Sequence, residues 1–335
     1  MTMFQTRMPT QYVITGTRSF RLGARQWFGE FGANLQNPGK SIIEVYAAPP
    51  GRVIVQADQA GAEALIVAHD AKPGNYRALF QNGIKPHTFL ALHIFADDRA
   101  DWFDGVSTHP ATILSLTPSN LRALGDEWKT IDKRIKSSDK EYAIGKRTAH
   151  GKSYRMGPRT FRLANLKQSD GTLNLSHSES VTFLGKFDNL FPEVIELQDE
   201  IEYTINKHRV LRNCFGHPRA FERVITDSYI REAISWRPQS TVGCITHEAF
   251  INMQGLIERD RRTQWDLVSN KHDSLAVECP DADAGDVARL LLSFLRIPLT
   301  GRDGVEYTMG AEVQVGRNWG KASKYNPEGM KDFKV

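Results

Sequence analysis

The segment Asp139–Tyr154, DKEYAIGKRTAHGKSY, constrains the fold more than any other part of the 335-residue chain. Tyr142, Lys146, His150 and Tyr154 recur every fourth residue, so a helix would set them on one face, turn above turn. A phenol, a cation and an imidazole each need a polar partner if buried, so this face makes a poor core stripe. The fold must leave it on solvent or on a polar cleft. As the wall of a cleft it suits a ligand with charge at one end and a flat ring at the other, which describes a nucleoside triphosphate. Ser138 and Glu141, three residues apart, predict a capping box at the start of the helix.

Two β elements flank that helix in sequence, and each ends on an acid. Arg52–Asp58, RVIVQAD, alternates and is β-branched, so it reads as a strand closed by Asp58. Gly61–His69 follows with helical spacing, and Glu63, one turn in, can reach back toward the strand end. An Asp at that junction is either a helix cap or a metal ligand. Trp265–Glu278 holds two alternating runs around Lys271-His272-Asp273, which predicts a hairpin with Asp273 at or beside its turn. A turn Asp is commonly only a turn former. Two acids on separate β elements with a basic helix between them suggest two-metal phosphoryl transfer. Hard Mg²⁺ ions take carboxylate and phosphate oxygens and sit ~3.5–4 Å apart in such sites. Lys146 would bind the triphosphate and could pass a proton to the leaving group. No G-x-x-x-x-G-K-[ST] is present, and no G-x-G-x-x-G follows the Arg52–Asp58 strand, which disfavours P-loop and dinucleotide folds.

The remaining segments read as follows. Residues 1–50 are loop-rich, with Asn34, Gln36 and Asn37 fenced by Gly32 and Pro38 in an irregular, hydrogen-bonding stretch. Phe89–Phe95 predicts a short buried helix, the charged stretch from Asp97 to about Ser138 predicts surface helices, and residues 183–208 an amphipathic region interrupted at Pro192. His69, His87 and His93 lack the spacing of a zinc protease. Tyr229–Ile234 leads to Arg237-Pro238, with Arg231, Ser235 and Gln239 four apart, and Thr241–Ile257 predicts a separate helix. Asp286–Leu295 reads as a helix and Val305–Val315 as strand. Lys plus Arg exceed Asp plus Glu by 43 to 39, a net +4 that permits a polyanionic partner without demanding one. Three cysteines without a CxxC pair disfavour a disulfide framework or structural zinc. No apolar run approaches ~18 residues and no secretory layout opens the chain, so the expectation is a soluble protein of the bacterial or phage-infected cytoplasm.

These residues carry a resemblance to family A DNA polymerases, over most of the chain and in the family's motif order. Val55–Glu63, VQADQAGAE, is similar to motif A, which implies Asp58 as ligand to both metals, the Gln59 carbonyl as a further ligand, and Glu63 as the acid that excludes a ribose 2′-OH. Lys146–Tyr154 resembles motif B, implying Lys146 on the phosphates, His150 in the place of the stacking aromatic, and Tyr154 against Glu63. Lys271-His272-Asp273 resembles motif C, with Asp273 as the second metal ligand and His272 near the primer end. Asn34, Gln36 and Asn37 match a template-primer contact loop, Arg231 and Gln239 a duplex-contacting segment, and His87 in Pro86-His87-Thr88 a nucleotide-phosphate contact. Val315–Trp319 resembles the family's C-terminal segment.

The resemblance implies an α+β fold, an antiparallel-sheet palm with a helical fingers subdomain and no thumb. Residues 1–70 would be palm with motif A, 71–230 the helical fingers with motif B, and 231–335 palm with motif C. It implies two Mg²⁺ ions, with Mn²⁺ able to substitute, primer-template DNA and dNTPs as ligands, and a separate protein supplying thumb, exonuclease or processivity functions, as in a phage-type split polymerase. Four positions depart from the family pattern: Tyr142 where an Arg is usual, His150, Arg155 where a Gly is usual, and Ser274 where a Glu is usual. One triphosphate contact would then be missing, or supplied by Arg147 or Lys140. A single-subunit RNA polymerase lacks the gate acid, so Glu63 favours DNA synthesis. A polymerase-derived, non-catalytic DNA-binding or replication-complex subunit is the alternative that the departures favour.

Overall fold

A computed structural model describes residues 10–13, 17, 19, 21, 23–26, 36, 39, 42–260 and 264–335. Thr10–Val13 (β1) pairs antiparallel with Gly23–Gln26 (β2). Arg52–Gln59 (β3) is followed by ten helices: Ala62–Asp70 (α1), Asn75–Gln81 (α2), Pro86–Phe95 (α3), Pro110–Ser115 (α4), Pro118–Ala123 (α5), Asp126–Ser137 (α6), Asp139–Ser153 (α7), Pro158–Gln168 (α8), His177–Leu190 (α9) and Pro192–His208 (α10). Five of them open on proline at the first turn, where its fixed φ suits the helix and its missing N–H costs nothing. The hairpin Val210–Arg212 (β4) with Pro218–Ala220 (β5) leads to Asp227–Arg259 (α11). Then come Asp266–Lys271 (β6), Ser274–Pro280 (β7), Ala284–Leu295 (α12), the pair Pro298–Thr300 (β8) and Glu306–Thr308 (β9), Ala311–Gly316 (β10) and Lys331–Asp332 (β11).

The alternation read in Arg52–Asp58 is what builds the main sheet. β3 is its middle strand, in the antiparallel order β11-β10-β3-β7-β6. Val53, Val55 and Ala57 point to one face with Leu275, Val277, Cys279 and Val313, and are buried beneath α11 and α12. The opposite face is polar at its open end.

A second core is wholly helical. Phe89, Leu90, Leu92, Ile144, Phe187, Phe191 and Trp236 belong to it. So do Trp102, Ile113, Leu121, Trp128, Ile131 and Ile135, which corrects the expectation of surface helices between Asp97 and Ser138. Charges dominate that stretch by count. Yet Trp128, Ile131 and Ile135 form one stripe on α6, and such a stripe is enough to dock a helix.

The two cores share two helices. Ile66 of α1 lies in the sheet core and Val67 in the helical one; Trp236 and Val242 divide α11 in the same way. This is also why Pro238 does not end a helix, as the sequence suggested. α11 runs unbroken for 33 residues through a buried Pro238. An interior proline costs about 3 kcal/mol, which burial of both halves of the helix outweighs.

The capping box expected at Ser138 is not formed. The Ser138 hydroxyl donates to the Arg134 carbonyl and accepts from the Trp102 indole, while Glu141 pairs with Arg99. A capping box does open α9, between Ser176 and Glu179.

Candidate active site

On the polar face of the sheet, one row of residues crosses four strands: Glu312 on β10, Asp58 on β3, Ser274 on β7 and Lys271 on β6. Residues directly opposite in register share a face, so these four side chains stand together. Asp273 lies in the two-residue turn between β6 and β7, whose first residue, His272, takes a left-handed φ of 51°. The Gln59 N–H donates to the Asp273 carbonyl at 3.0 Å, fixing the hairpin tip to the end of β3. From below, the buried Gln59 amide donates to the Thr246 hydroxyl at 2.7 Å, and that hydroxyl also lies 3.2 Å from the His272 carbonyl. Helix α11 thereby holds both acid-bearing segments. Thr246 and Glu312 were not singled out from the sequence; Glu312 was legible only as an outward residue of an alternating strand.

The acids at this end of the sheet raise one another's pKa, opposed in part by Lys271 and Arg21. Asp58 is open to solvent, yet the protein around it and the neighbouring Asp273 push its pKa up to about 7, with Glu312 adding and Lys271 opposing. Burial also raises Asp273. Among the described residues no three His, Cys, Asp or Glu side chains form a metal centre by themselves. Two acids held toward the protonated form are nonetheless a donor set that a hard divalent cation would satisfy, with further oxygens coming from a phosphate ligand.

Glu63, at the start of α1, receives two donors: the Tyr154 hydroxyl from the C-terminal end of α7 and the Arg21 guanidinium from the N-terminal segment. The Tyr154 phenol is raised well above its ordinary pKa by burial and then by Glu63, so it stays a donor at any physiological pH. Arg21 is a site residue that the sequence did not reveal, because nothing local marks one arginine among several in a loop.

The expected ladder on α7 is split. Lys146 and His150 are exposed; Tyr142 and Tyr154 are half-buried, Tyr142 edge-on to His87 at 5.1 Å and Tyr154 edge-on to His150 at 5.3 Å. The N-terminus of α3 crosses α7 at Gly145, where a Cβ would come within 2.5 Å of the His87 carbonyl. His87 is pushed down to about 4 by burial, then by Lys85, Lys146 and Lys136, so it is neutral at pH 7. Arg147 does not replace the cation missing at Tyr142: it bonds Asn165 and Gln168 on α8. Lys140 stands by Glu179 instead. Lys85 and Lys136 are the additional cations near His87, and Lys136 is paired with Asp132.

The other expected residues are spread around this centre. Gln36 is buried and donates to the Asn270 carbonyl on β6 at 3.1 Å, so it braces the hairpin; Asn34 and Asn37 lie outside the described residues. Arg231 and Gln239 sit on α11, exposed and half-buried. Arg155 takes a left-handed φ of 58°, the backbone conformation that a glycine would favour, and is held by Asp199 and Glu202.

No protein-family model matches the chain. Curated proteins do. It is 25% identical to DNA polymerase I of Chloroflexus aurantiacus over 332 residues, covering 95% of this chain and 29% of that protein. It is 22% identical to DNA polymerase I of Treponema pallidum over 328 residues, covering 94% and 27%. A solved structure, the POL domain of Pol1 from M. smegmatis in complex with DNA primer-template and dNTP, superposes with a TM-score of 0.62 at 19% identity, covering 92% of this chain and 47% of that one. The chain is thus similar, over more than nine-tenths of its length, to part of DNA polymerase I and to the POL domain of one. Its α+β architecture, an antiparallel sheet with a helical lobe, is the fold of that domain. It spans about three-tenths of the length of the curated relatives. Among the described residues no helix is long and apolar enough to cross a membrane.

Proposed function

We propose that this chain carries the catalytic centre of a template-directed DNA polymerase, joining a dNTP to a primer 3′-OH with release of pyrophosphate. The observation that supports it best is the bond from Tyr154 to Glu63, 91 residues apart in sequence, beside Asp58 and Asp273. That contact is what the resemblance implied for the gate against ribonucleotides, and no local feature of either segment requires it.

In this reading Asp58, Asp273 and the Gln59 carbonyl hold two Mg²⁺ ions, for which Mn²⁺ could substitute. Such ions, when bound, activate the attacking hydroxyl and neutralise the departing pyrophosphate. Lys146 would hold the triphosphate and could donate a proton to the leaving group. His87 would donate a ring N–H to a phosphate oxygen. His150 stacks on the incoming sugar and base, and Glu63 with Tyr154 closes the space that a 2′-OH would need. Asn34, Gln36, Asn37, Arg231, Gln239 and His272 contact primer-template DNA. Residues 1–70 and 231–335 are assigned to the palm and 71–230 to the fingers. A separate protein supplying thumb, exonuclease or processivity functions is proposed as a partner; pull-down from the native source tests it, and processive synthesis by the chain alone would remove the need.

Primer extension with dNTPs or rNTPs, beside Asp58→Ala and Asp273→Ala, tests the reaction. We expect extension with dNTPs that both substitutions reduce by at least about a thousandfold. DNA binding without extension, unchanged by either substitution, would favour the non-catalytic subunit instead, a reading that Tyr142 supports by packing on His87 where a cation would be useful.

A further inference from the structure

Asp58 and Asp273 are held by different means. Asp58 stands on the middle strand of the sheet, where β10 and β7 fix its backbone from both sides. Asp273 lies beyond the β6–β7 ladder, in a turn whose first residue, His272, has a left-handed φ of 51°. The register of β6 on β7 is also interrupted between Leu267 and Ser269, and such an irregularity bends the strand that carries it. A carboxylate on a short turn moves with the turn, whereas a binding constellation tolerates displacements of only ~0.5 Å.

From the core side, the turn is fixed by a hydroxyl. Thr246 sits in the apolar stripe of α11 with Val242, Ile245, Ala249 and Met253, and is only 1% exposed. A valine there would have the same shape and spare a buried polar group, so packing does not account for the threonine. Its Oγ1 accepts from the Gln59 amide at 2.7 Å. The hydroxyl proton faces two carbonyls, that of Val242 one turn back at 2.9 Å and that of His272 at 3.2 Å. Gln59, 2% exposed, leaves its Oε1 buried without a partner among the described residues. An apolar side chain at 59 would avoid that cost, and what the amide provides is the bond to Thr246. The residue after Asp58 and the residue before Asp273 thus meet on one oxygen. The backbone bond from Gln59 to the Asp273 carbonyl joins the two segments to each other, and Thr246 joins both to α11.

We infer that Thr246 is a positioning residue for the divalent cations of the proposed reaction, setting the Asp58–Asp273 pair through Gln59 and the His272 carbonyl. The inference rests on the metal-dependent reading above. Thr246 is buried behind the acids and acts only through them.

Titration with Mn²⁺, followed by the electron paramagnetic resonance of the unbound ion, tests this on the full chain without nucleotide or turnover. The wild-type chain should show binding that Asp58→Ala removes. Thr246→Val should raise the apparent Kd for Mn²⁺ about tenfold, the lower end of what losing an outer-shell partner costs, and Thr246→Ser should restore wild-type binding. Gln59→Met breaks the same bond from the other side and keeps its own backbone carbonyl, so the test survives if Thr246→Val does not fold. It should give a similar loss, and the double variant Thr246→Val/Gln59→Met no further one. In primer extension, Thr246→Val should raise the Mg²⁺ concentration for half-maximal rate by a similar factor, with KM for the dNTP unchanged at saturating Mg²⁺. Wild-type Mn²⁺ affinity in both single variants would show that the bond does not set the site. Equal losses in Thr246→Val and Thr246→Ser would show that packing sets it and the hydroxyl does not. Either result overturns the inference and leaves the metal reading standing. Absence of any Asp58-dependent Mn²⁺ binding in the wild-type chain would sink the metal reading and the inference with it.

Discussion

Glu63 is where three distant parts of the chain meet, since Arg21, Tyr154 and the start of α1 all converge on its carboxylate. Removing it should leave two donors without an acceptor. Glu63→Ala is expected to lower stability by about 1–3 kcal/mol in urea denaturation. If the gate reading holds, it should also raise rNTP use relative to dNTP by at least roughly tenfold, read from competing single-nucleotide incorporation. His93 allows a pH prediction remote from the site. Burial, with Lys186 nearby, pushes its pKa down to about 4, and its Nε2 is buried without a partner. The folded state therefore prefers the neutral ring, whereas the unfolded chain takes up a proton below about 6.5. Stability is lost as pH falls from about 6.5 to about 4. His93→Leu should flatten that limb of a Tm-against-pH curve, and an unchanged slope would show that the ring does not titrate there.

At the level of elements, the crossing of α3 on α7 decides where Lys146 stands relative to His87. The helices approach so closely at Gly145 that a methyl group would meet the His87 carbonyl at 2.5 Å and the Ala91 Cβ at 3.0 Å. Backbone cannot yield as a flexible side chain can. Gly145→Ala should cost about 1–3 kcal/mol and push the helices apart. Under the polymerase reading, KM for the nucleotide should rise while binding of primer-template is retained, because the proposed DNA contacts Arg231 and Gln239 lie on α11, away from the crossing. A variant as stable as wild type with unchanged KM would mean that the crossing does not set the site.

Across the whole molecule, the two cores are bound by a polar junction as well as by shared helices. Asp70, at the end of α1, accepts two bonds from Arg237 at 2.5 and 2.8 Å, with side chains only 3% and 17% exposed. Arg77 caps the carbonyls of Ala68, His69 and Ala71 and pairs with Asp303 beyond β8, while His69 stacks on Tyr307 at 3.9 Å. Asp70→Ala would strand a buried guanidinium and should cost about 3–5 kcal/mol. Differential scanning calorimetry should show a lower Tm and, because the junction joins the two cores, a broader transition. A loss below 1 kcal/mol would show that the pair is dispensable.

Much of this was legible in the sequence wherever a local pattern dictates the outcome. Alternation in Arg52–Asp58 and around Lys271–Asp273 determined two strands and put an acid at the end of one and in the turn of the other. Four-residue spacing determined a helix with a polar face at Lys146 and His150, and the ordered motifs pointed to the resemblance that the comparisons also found. Tertiary structure alone decided what depends on contacts between segments far apart. Pro238 continues a helix because two cores bury its ends, the 97–138 helices are docked by a few aromatic and branched residues that their charges conceal, and Ser138 abandons its cap for Trp102. The partners of Glu63, the row Glu312–Asp58–Ser274–Lys271 and the diversion of Arg147 to α8 follow the same rule. Propensity and period act over a few neighbouring residues, whereas register, burial and ion pairing are fixed by which distant surfaces meet.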